Sequence, residues 1–229
     1  SDLLEQHYAE LFAILRREAG KTLNDCIGEL REAVDFMRYY AKEAKHAEKD
    51  TQARGVIVCI SPWNFPLAIF SGQLVAALVT GNAVVAKPAD QTPLIAIKTV
   101  ELLLEAGVPQ EILHLLPGRG STIGQALISD PRISGVCFTG STEVAQHINR
   151  TLSENAGSDA ILIAETGGLN AMIVDSSALP EQAVRDIVAS SFQSCGQRCS
   201  ALRVLLVQKD VEDRMIEMLS GAMDCLQIG

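Results

Sequence analysis

The sequence predicts an α/β fold built on a doubly wound, Rossmann-like parallel sheet. Short continuous apolar runs, typical of strands that are covered on both faces, alternate with helical segments between residues 56 and 164. At 229 residues with 48% hydrophobic content, the chain is also long enough to bury a full core. Because strand–helix–strand units take right-handed crossovers, this alternation predicts a parallel sheet with helices on both faces.

Two amphipathic helices are predicted before the sheet. Apolar residues recur at helical spacing over residues 2–19, where Gly20 ends the pattern, and again over residues 22–49. We expect residues 1–50 to be packing elements with a charged outer face, and we assign them no chemistry.

A regular succession of strands and helices follows. Strands are predicted at residues 56–60, 83–87, 113–116, 135–138 and 161–164. Helices are predicted between them, at residues 67–80, 93–106, 121–128 and 141–152. Ligands of doubly wound sheets bind outside the carboxyl ends of the strands. Several polar or glycine residues fall in or beside turns at those ends: Asn64, Lys87, Gly118, Gly140 and Glu165. This clustering predicts a ligand site at that edge of the sheet.

The last part of the chain continues the alternation. Strands are predicted at residues 170–174 and 203–207, and helices at residues 180–194 and 211–225. Asp210 is a suitable cap for the final helix.

A thiol follows the helix at residues 180–194. Cys199 lies among small and polar residues and next to the guanidinium of Arg198. A neighbouring cation stabilises the thiolate, which is the form of cysteine that attacks electrophiles. Cys199 is therefore a candidate nucleophile, and the alternative is a buried structural cysteine beside a surface arginine.

Two further motifs carry side chains suited to catalysis. Asn64 lies between Pro62 and Pro66, so its amide is held on a rigid backbone, and a rigid donor that stabilises an oxyanion is worth ~3 kcal/mol in catalysis. The alternative is an asparagine that only closes the turn. Glu165 follows an apolar strand, where partial loss of water would suit a general base. The alternative is a surface glutamate.

Three turns are candidates for binding a nucleotide. Gly118-Arg119-Gly120 begins like a dinucleotide fingerprint, although the third glycine comes late, at Gly124. Ser141 follows Gly140 and can cap the next helix, leaving backbone N–H groups free for a phosphate. Lys87 and Asp90 could bind ribose hydroxyls or phosphate. For the turn at Gly118 the alternative is an ordinary strand-to-helix turn, and for Ser141 it is an ordinary helix cap. For Lys87 and Asp90 the alternative is a pair of solvated charges.

Composition narrows the class of partner. The net charge is −9 without a basic block, which argues against nucleic acid and favours a small metabolite. No apolar run is long enough to cross a membrane, and we expect no leader sequence. The six cysteines lack the spacing of zinc sites, so we expect no metal. Their mostly apolar context is typical of a reducing compartment, which predicts a cytoplasmic protein.

Five motifs, in this order, resemble the aldehyde dehydrogenase superfamily: Pro62-Trp63-Asn64-Phe65-Pro66, Lys87-Pro88-Ala89-Asp90, Phe138-Thr139-Gly140-Ser141-Thr142, Glu165-Thr166-Gly167-Gly168 and Gly196-Gln197-Arg198-Cys199. Longer stretches at residues 17–22, 31–36 and 200–205 further resemble the branch that oxidises L-glutamate γ-semialdehyde to glutamate in bifunctional bacterial enzymes of proline catabolism.

The resemblance implies roles for individual residues. Cys199 would be the nucleophile, Glu165 the base that activates the deacylating water, and Asn64 an oxyanion donor. The residues implied in binding NAD are Ile60, Ser61, Trp63, Lys87, Asp90, Gly118, Phe138, Gly140 and Ser141. Arg198 and Ser200 would contact the substrate carboxylate. NAD is favoured over NADP because Asp90 would repel a 2′-phosphate.

The resemblance also implies how the chain is organised. Residues 1–50 would be N-terminal helices, residues 51–165 the NAD-binding domain, and residues 166–229 the beginning of the catalytic domain. We therefore expect a fragment of a longer protein, truncated at the start of that domain. The full-length parent is expected to form a homo-oligomer, and the fragment is expected to have little or no activity of its own.

The expected reaction is NAD-dependent oxidation of an aldehyde to a carboxylate through a cysteine thioester. Three alternatives are open: transfer of the thioester to coenzyme A, an inert cofactor-binding fragment, and a cysteine hydrolase. A hydrolase would pair Cys199 with one of four histidines, His7, His46, His114 and His147.

Overall fold

A five-stranded parallel sheet organises the first part of the chain, in the strand order β3-β2-β1-β4-β5. The structure is a computed structural model that describes residues 1–46 and 51–227. The strands of this sheet are β1 Val56–Ile60, β2 Ala83–Lys87, β3 Leu113–Leu115, β4 Ile133–Gly140 and β5 Ile161–Thr166. The predicted parallel α/β sheet is confirmed.

The helices that connect these strands cover both faces of the sheet. They are α4 Ala68–Val79, α5 Pro93–Glu105, α6 Gln125–Ile128 and α7 Thr142–Asn155. Ile57 and Cys59 of β1 pack into one core cluster with Phe70 and Leu74 of α4. Val58 of the same strand packs into another, with residues of α7 such as Ile148. Because successive side chains of a strand point to opposite faces, these two clusters lie on opposite sides of the sheet.

The strand order reverses between β1 and β4. The chain runs from β1 outward to β2 and β3, and then returns to pair β4 with the free side of β1. At the end of this pairing Ile60 lies opposite Phe138. The crevice outside such a reversal is where doubly wound sheets bind ligands.

Three N-terminal helices pack beside the sheet: α1 Asp2–Gln6, α2 Tyr8–Ala19 and α3 Leu23–His46. One continuous helix over residues 2–19 was expected, but it is interrupted at His7, where ψ is 17°. The interruption breaks no pairing, because His7 N–H donates to Leu3 O and His7 O accepts from Leu11 N–H. Gly20 ends α2 with a φ of 63°, a conformation that favours glycine. Residues 47–49 of the predicted second helix lie outside the described residues.

The chain divides into two compact units, Ser1–Thr166 and Gly167–Gly229. The second unit contains two parallel strands and two helices, which are β6 Asn170–Val174, β7 Leu202–Val207, α8 Pro180–Phe192 and α9 Glu212–Asp224. Val174, Ile187 and Met215 belong to its core cluster.

Two further local predictions differ from the structure. Asp210 does not cap α9, because it lies in a short 3-10 turn before that helix and accepts a hydrogen bond from Gln208 Nε2 over 3.1 Å. The helix predicted at residues 121–128 begins as one π-helical turn, Gly120–Gly124, and becomes α-helical only at Gln125. Among the described helices, none has the length and apolar character required to cross a bilayer.

Candidate functional site

The first unit gathers predicted site residues at the carboxyl edge of its sheet. Ile60 ends β1, Lys87 ends β2 and Gly140 ends β4, while Glu165 is the next-to-last residue of β5. Gly118 follows β3 by three positions. The strands are parallel, so all these ends lie at one edge, as the sequence predicts.

Lys87 is a buried cation at this edge. Its side chain is 4% exposed, and its ammonium donates to Pro88 O over 2.8 Å and to Asp90 Oδ1 over 3.1 Å. The solvated-charge alternative for Lys87 is therefore wrong. A buried ammonium is costly unless its protons are hydrogen-bonded, and Asp90 and the Pro88 carbonyl serve that purpose here. The side chain of Asp90 is exposed, at 41%.

A cavity of about 310 Å³ opens beside Lys87. It is lined by Ile60, Lys87, Gly120, Ser121, Gly124, Gln125, Ile128, Val144, His147 and Ile148. Small-molecule sites are largely apolar with a few placed polar groups, and start at about 300 Å³. A cavity of this size, lined by apolar residues, a buried lysine and a few polar groups, could hold the base and ribose of a nucleotide. Of the nine residues implied in NAD binding, two line this cavity, Ile60 and Lys87. The other seven are absent from its described lining: Ser61, Trp63, Asp90, Gly118, Phe138, Gly140 and Ser141.

The turn after β3 depends on a glycine. Gly118 has a φ of 149°, and a Cβ added there would lie 2.7 Å from Cγ1 of Ile123. Any other residue would be both strained and crowded. A second glycine, Gly124, lies beside the stem of Lys87, where an added Cβ would be at an ordinary contact distance of 3.7 Å from Lys87 Cε. Gly124 lines the cavity, whereas Gly118 shapes the turn that leads to it.

The turn after β4 begins α7. Ser141 Oγ accepts a hydrogen bond from Val144 N–H over 3.3 Å, so the predicted N-cap is present. Phe138 is buried, and its ring lies where a Cβ on Gly140 would meet it, 2.5 Å from Cζ. Gly140 therefore makes room for the ring of Phe138 at the end of the strand. Phosphate binding by this turn stays a prediction.

Asn64 lies in the turn between β1 and α4. It is half-buried, the neighbouring Trp63 is exposed, and Ser61 is buried. Ser61 N–H donates to Lys87 O over 3.3 Å, which ties the start of this turn to the end of β2. On α4, Gln73 Nε2 donates to Ile60 O over 3.4 Å and to Thr139 Oγ1 over 3.1 Å, so Gln73 bridges β1 and β4 at the strand reversal. Gln73 lies mid-helix, and no sequence pattern distinguished it.

Cys199 lies in the second unit, in the turn before β7. Ala201 N–H donates to Arg198 O over 3.2 Å and closes a turn around Cys199 and Ser200. Arg198 is half-buried, while Cys199 and Ser200 are exposed. The alternative of a buried structural cysteine is therefore wrong, because the thiol is accessible.

Asn170 braces the Cys199 turn, a role that no motif in the sequence predicts. Its side-chain amide donates to Cys199 O over 2.7 Å and to Ala201 O over 3.0 Å. The only signal in the sequence is an asparagine at the start of a strand after two glycines, and asparagine is common beside turns for purely local reasons. Asn170 thus holds the carbonyl groups of the two residues that flank Ser200 in the chain.

The backbone before the thiol is strained. Ser194 and Cys195 have φ values of 53° and 56°, a left-handed conformation that costs energy in residues other than glycine. Arg203 Nη2 donates to Gly196 O over 2.6 Å and secures the next residue. The helix predicted to reach residue 194 ends at Phe192, because the chain turns sharply there.

Glu165 pairs with Thr139 across β5 and β4, and its side chain is exposed. The first unit therefore does not supply the partial loss of water that we expected for this carboxylate. Glu165 and Asn64 belong to the first unit, at the carboxyl edge of its sheet, and Cys199 belongs to the second unit.

The four histidines all lie in the first unit, outside the unit that holds Cys199. His147 contacts Gln125 over 2.6 Å, His114 contacts Glu111 O over 3.2 Å, and His7 contacts Glu10 over 3.4 Å. These contacts give no support to a cysteine hydrolase.

Comparison with known proteins gives the family. The profile of the aldehyde dehydrogenase family matches residues 1–229. The bifunctional protein PutA of Klebsiella aerogenes is 57% identical over 99% of this chain, which spans 18% of that protein. The chain therefore covers about a fifth of this curated relative.

Two solved structures are similar over the whole chain. A variant of proline utilization A from Bradyrhizobium japonicum is 56% identical with a TM-score of 0.94, and the match covers 100% of this chain and 25% of that one. A 1-pyrroline-5-carboxylate dehydrogenase from Thermus with bound NAD is 32% identical with a TM-score of 0.94, and the match covers 100% of this chain and 48% of that one. The motif resemblance is thus confirmed, and the chain belongs to the aldehyde dehydrogenase family.

Proposed function

We propose that the chain supplies the cofactor-binding region and the nucleophilic thiol of an NAD-dependent dehydrogenase that oxidises L-glutamate γ-semialdehyde to glutamate in proline catabolism. The observation that carries the proposal is an accessible Cys199 thiol on a braced turn, in a chain that matches the aldehyde dehydrogenase profile throughout. In this proposal residues 51–165 bind the cofactor and residues 166–229 begin the catalytic domain.

The residues present fit NAD. Lys87 can donate to ribose hydroxyls, the exposed carboxylate of Asp90 can accept from them, and the apolar cavity beside Lys87 accommodates the adenine. Asp90 would meet a 2′-phosphate with like charge, which favours NAD over NADP. When bound, NAD supplies the acceptor for the hydride of the aldehyde carbon.

The chain's own residues carry the rest of the reaction. The thiolate of Cys199 forms a bond to the aldehyde carbon, and the resulting oxyanion accepts hydrogen bonds from the amide of Asn64 and the backbone N–H of Cys199. After oxidation the acyl group is held as a thioester on Cys199. Glu165 takes one proton from a water molecule whose oxygen bonds to the thioester carbon. Cleavage of the carbon–sulfur bond then restores the thiolate and releases the carboxylic acid, which loses its own proton to solvent.

The substrate proposal rests on relatives and on two residues. The Klebsiella relative is named bifunctional protein PutA, and the Thermus structure is a 1-pyrroline-5-carboxylate dehydrogenase. Arg198 and Ser200 flank the nucleophile and can bind the carboxylate at the far end of a semialdehyde. The described cysteines are free thiols, which fits a cytoplasmic enzyme.

The test is an NADH-production assay on the whole protein with L-glutamate γ-semialdehyde and a panel of aldehydes that lack the carboxylate. We expect the semialdehyde to be preferred. Cys199→Ala should abolish NADH formation, whereas Cys225→Ala, which removes another exposed thiol, should retain it. Normal activity of Cys199→Ala would overturn the proposal, and turnover that requires coenzyme A would show that the acyl group is not passed to water.

A further inference from the structure

A buried ion pair lies behind the turn that carries Asn64, and the proposed reaction does not use it. Lys21 Nζ and Glu29 Oε1 are 3.1 Å apart, and the two residues are 7% and 1% exposed. Lys21 lies between α2 and α3, and Glu29 lies on α3. Burying two charges costs several kcal/mol each unless their remaining hydrogen-bonding atoms are also satisfied. The other contacts of the two residues therefore indicate which part of the molecule the pair stabilises.

The second carboxylate oxygen of Glu29 caps a helix other than its own. Glu29 Oε2 accepts from Ala68 N–H over 2.9 Å and from Leu67 N–H over 3.3 Å. These N–H groups are at the start of α4, whose N-cap residue is Leu67 and has no side chain able to cap. A carboxylate at a helix N-terminus is favoured by the unpaired N–H groups and by the helix dipole. Glu29 thus fixes where α4 begins.

The ammonium of Lys21 holds the same turn at a second point. Its Nζ lies 4.5 Å from the centroid of the Phe65 ring, within the range of a cation–π interaction. Phe65 directly follows Asn64 in the chain, and Leu67 follows Asn64 by three residues. The pair therefore contacts the turn on the side that leads into α4, while Ser61 is tied to Lys87 on the other side.

The pair needs both members. Burial raises the pKa of the Glu29 carboxyl, and the Lys21 ammonium and the two backbone N–H donors act against that rise. Removing the charge of Lys21 would leave the carboxylate facing an apolar core, whose low polarity favours its neutral form. A neutral Glu29 accepts weaker hydrogen bonds from the start of α4.

We propose that the Lys21–Glu29 pair is a positioning device for Asn64, which holds the turn so that its side-chain amide faces the developing oxyanion. Neither residue touches substrate. The inference rests on the proposed function, because it gives the pair a purpose only if Asn64 is an oxyanion donor.

A double-mutant cycle in the whole protein tests the proposal. Removing an oxyanion donor typically costs about 10²- to 10³-fold in kcat, and we expect that loss for Asn64→Ala. Glu29→Gln should lower the rate of NADH formation by about tenfold or more, with little change in the KM for NAD. In the Asn64→Ala background, Glu29→Gln should cost less than about twofold, because its effect passes through Asn64.

The control separates positioning from general destabilisation. Val34→Ala removes buried volume from the same helix, α3. The side chain of Val34 has no polar atom and therefore makes no hydrogen bond to the start of α4. It should lower the melting temperature while leaving kcat nearly unchanged. If Val34→Ala lowers the rate, the fold-loss in the Val34→Ala, Asn64→Ala double variant should equal the product of the two single fold-losses, because the free-energy effects of independent sites add.

Each outcome decides the proposal. Multiplicative losses for Glu29→Gln and Asn64→Ala, or a wild-type rate in Glu29→Gln, would overturn it while the proposed function stands. If Glu29→Gln fails to fold, Lys21→Met should show the same non-additivity, and failure of both variants to fold would assign the pair to stability alone. Absence of NADH formation by the unaltered protein would overturn the proposed function and this inference together.

Discussion

The side-chain amide of Asn170 donates to the carbonyl oxygen of Cys199 over 2.7 Å, and the same nitrogen donates to Ala201 O over 3.0 Å. One residue at the start of β6 therefore orients the peptide groups of the turn that carries the thiol. In a covalent mechanism, small displacements of a nucleophile are costly, because reacting atoms must approach within about 3–3.5 Å in the right direction.

We predict that Asn170→Ala lowers the rate of NADH formation by about tenfold, because the loss of two hydrogen bonds loosens the Cys199 turn. The rate of Cys199 alkylation by iodoacetamide should change as well, since it reports the same thiol. Gln182→Ala, an exposed residue of α8, is the control and should match the unaltered protein. Unchanged kcat and alkylation in Asn170→Ala would contradict the assigned role.

Lys87→Met is predicted to weaken NAD binding. The variant keeps much of the buried stem but removes the ammonium of a residue that lines the cavity. Hydrogen bonds that involve a charged group are worth about 1.5–3 kcal/mol, so the dissociation constant should rise by about 10- to 100-fold. Calorimetric titration with NAD measures the change. Lys98→Met removes a lysine that pairs with Glu10 away from the cavity and should bind NAD normally. Equal affinities for the two variants would refute the role of Lys87.

Two glycines of one turn should respond differently to alanine. Gly118→Ala forces a strained φ and a contact of 2.7 Å with Ile123, so it should reduce the free energy of unfolding by about 1–3 kcal/mol. Gly120→Ala meets no atom within 4 Å and has no positive φ, so its stability should be unchanged or slightly increased. Urea denaturation midpoints compare the two, and equal midpoints would show that the turn relaxes around the added methyl group.

The cysteines should differ in reactivity under native conditions. Burial raises the pKa of the Cys26 thiol, and a hydrogen bond with Cys137 together with burial raises that of Cys59. A raised pKa means that the reactive thiolate forms only at higher pH than in a free cysteine. At about pH 8, close to the pKa of an unperturbed thiol, mass spectrometry after brief alkylation should therefore find label on exposed Cys199 and none on Cys26 or Cys59. Labelling of either buried thiol before Cys199 would show that the core opens readily.

Much of the sheet was predictable from local pattern. The bounds of β1, β2 and β6 match the predicted strands at residues 56–60, 83–87 and 170–174. Each is a short apolar run, and such runs form strands whether or not the rest of the fold is known. The order of the motifs along the chain was equally local information. It was sufficient to identify the family, because each motif combines a particular turn with a particular side chain.

Other features could not be read from local pattern. Glu29 accepts hydrogen bonds from backbone N–H groups 38 and 39 residues later in the chain, at the start of α4. Asn170 donates to carbonyl groups 29 and 31 residues later. In the sequence, Glu29 resembles an ordinary surface charge of an amphipathic helix, and Lys21 resembles an ordinary surface charge of the turn before that helix. Only packing against the turn after β1 removes both from water.

The sequence by itself determined the α/β class, the strands and the family, because apolar periodicity and turn residues act over a few neighbouring positions. Only the tertiary structure decided that Lys87 is a buried cation beside a cavity, that Cys199 is accessible, and that Asn170 and Glu29 support the turns carrying Cys199 and Asn64. Burial and hydrogen-bond partners depend on which distant segments meet, and that is set by the packing of the whole chain.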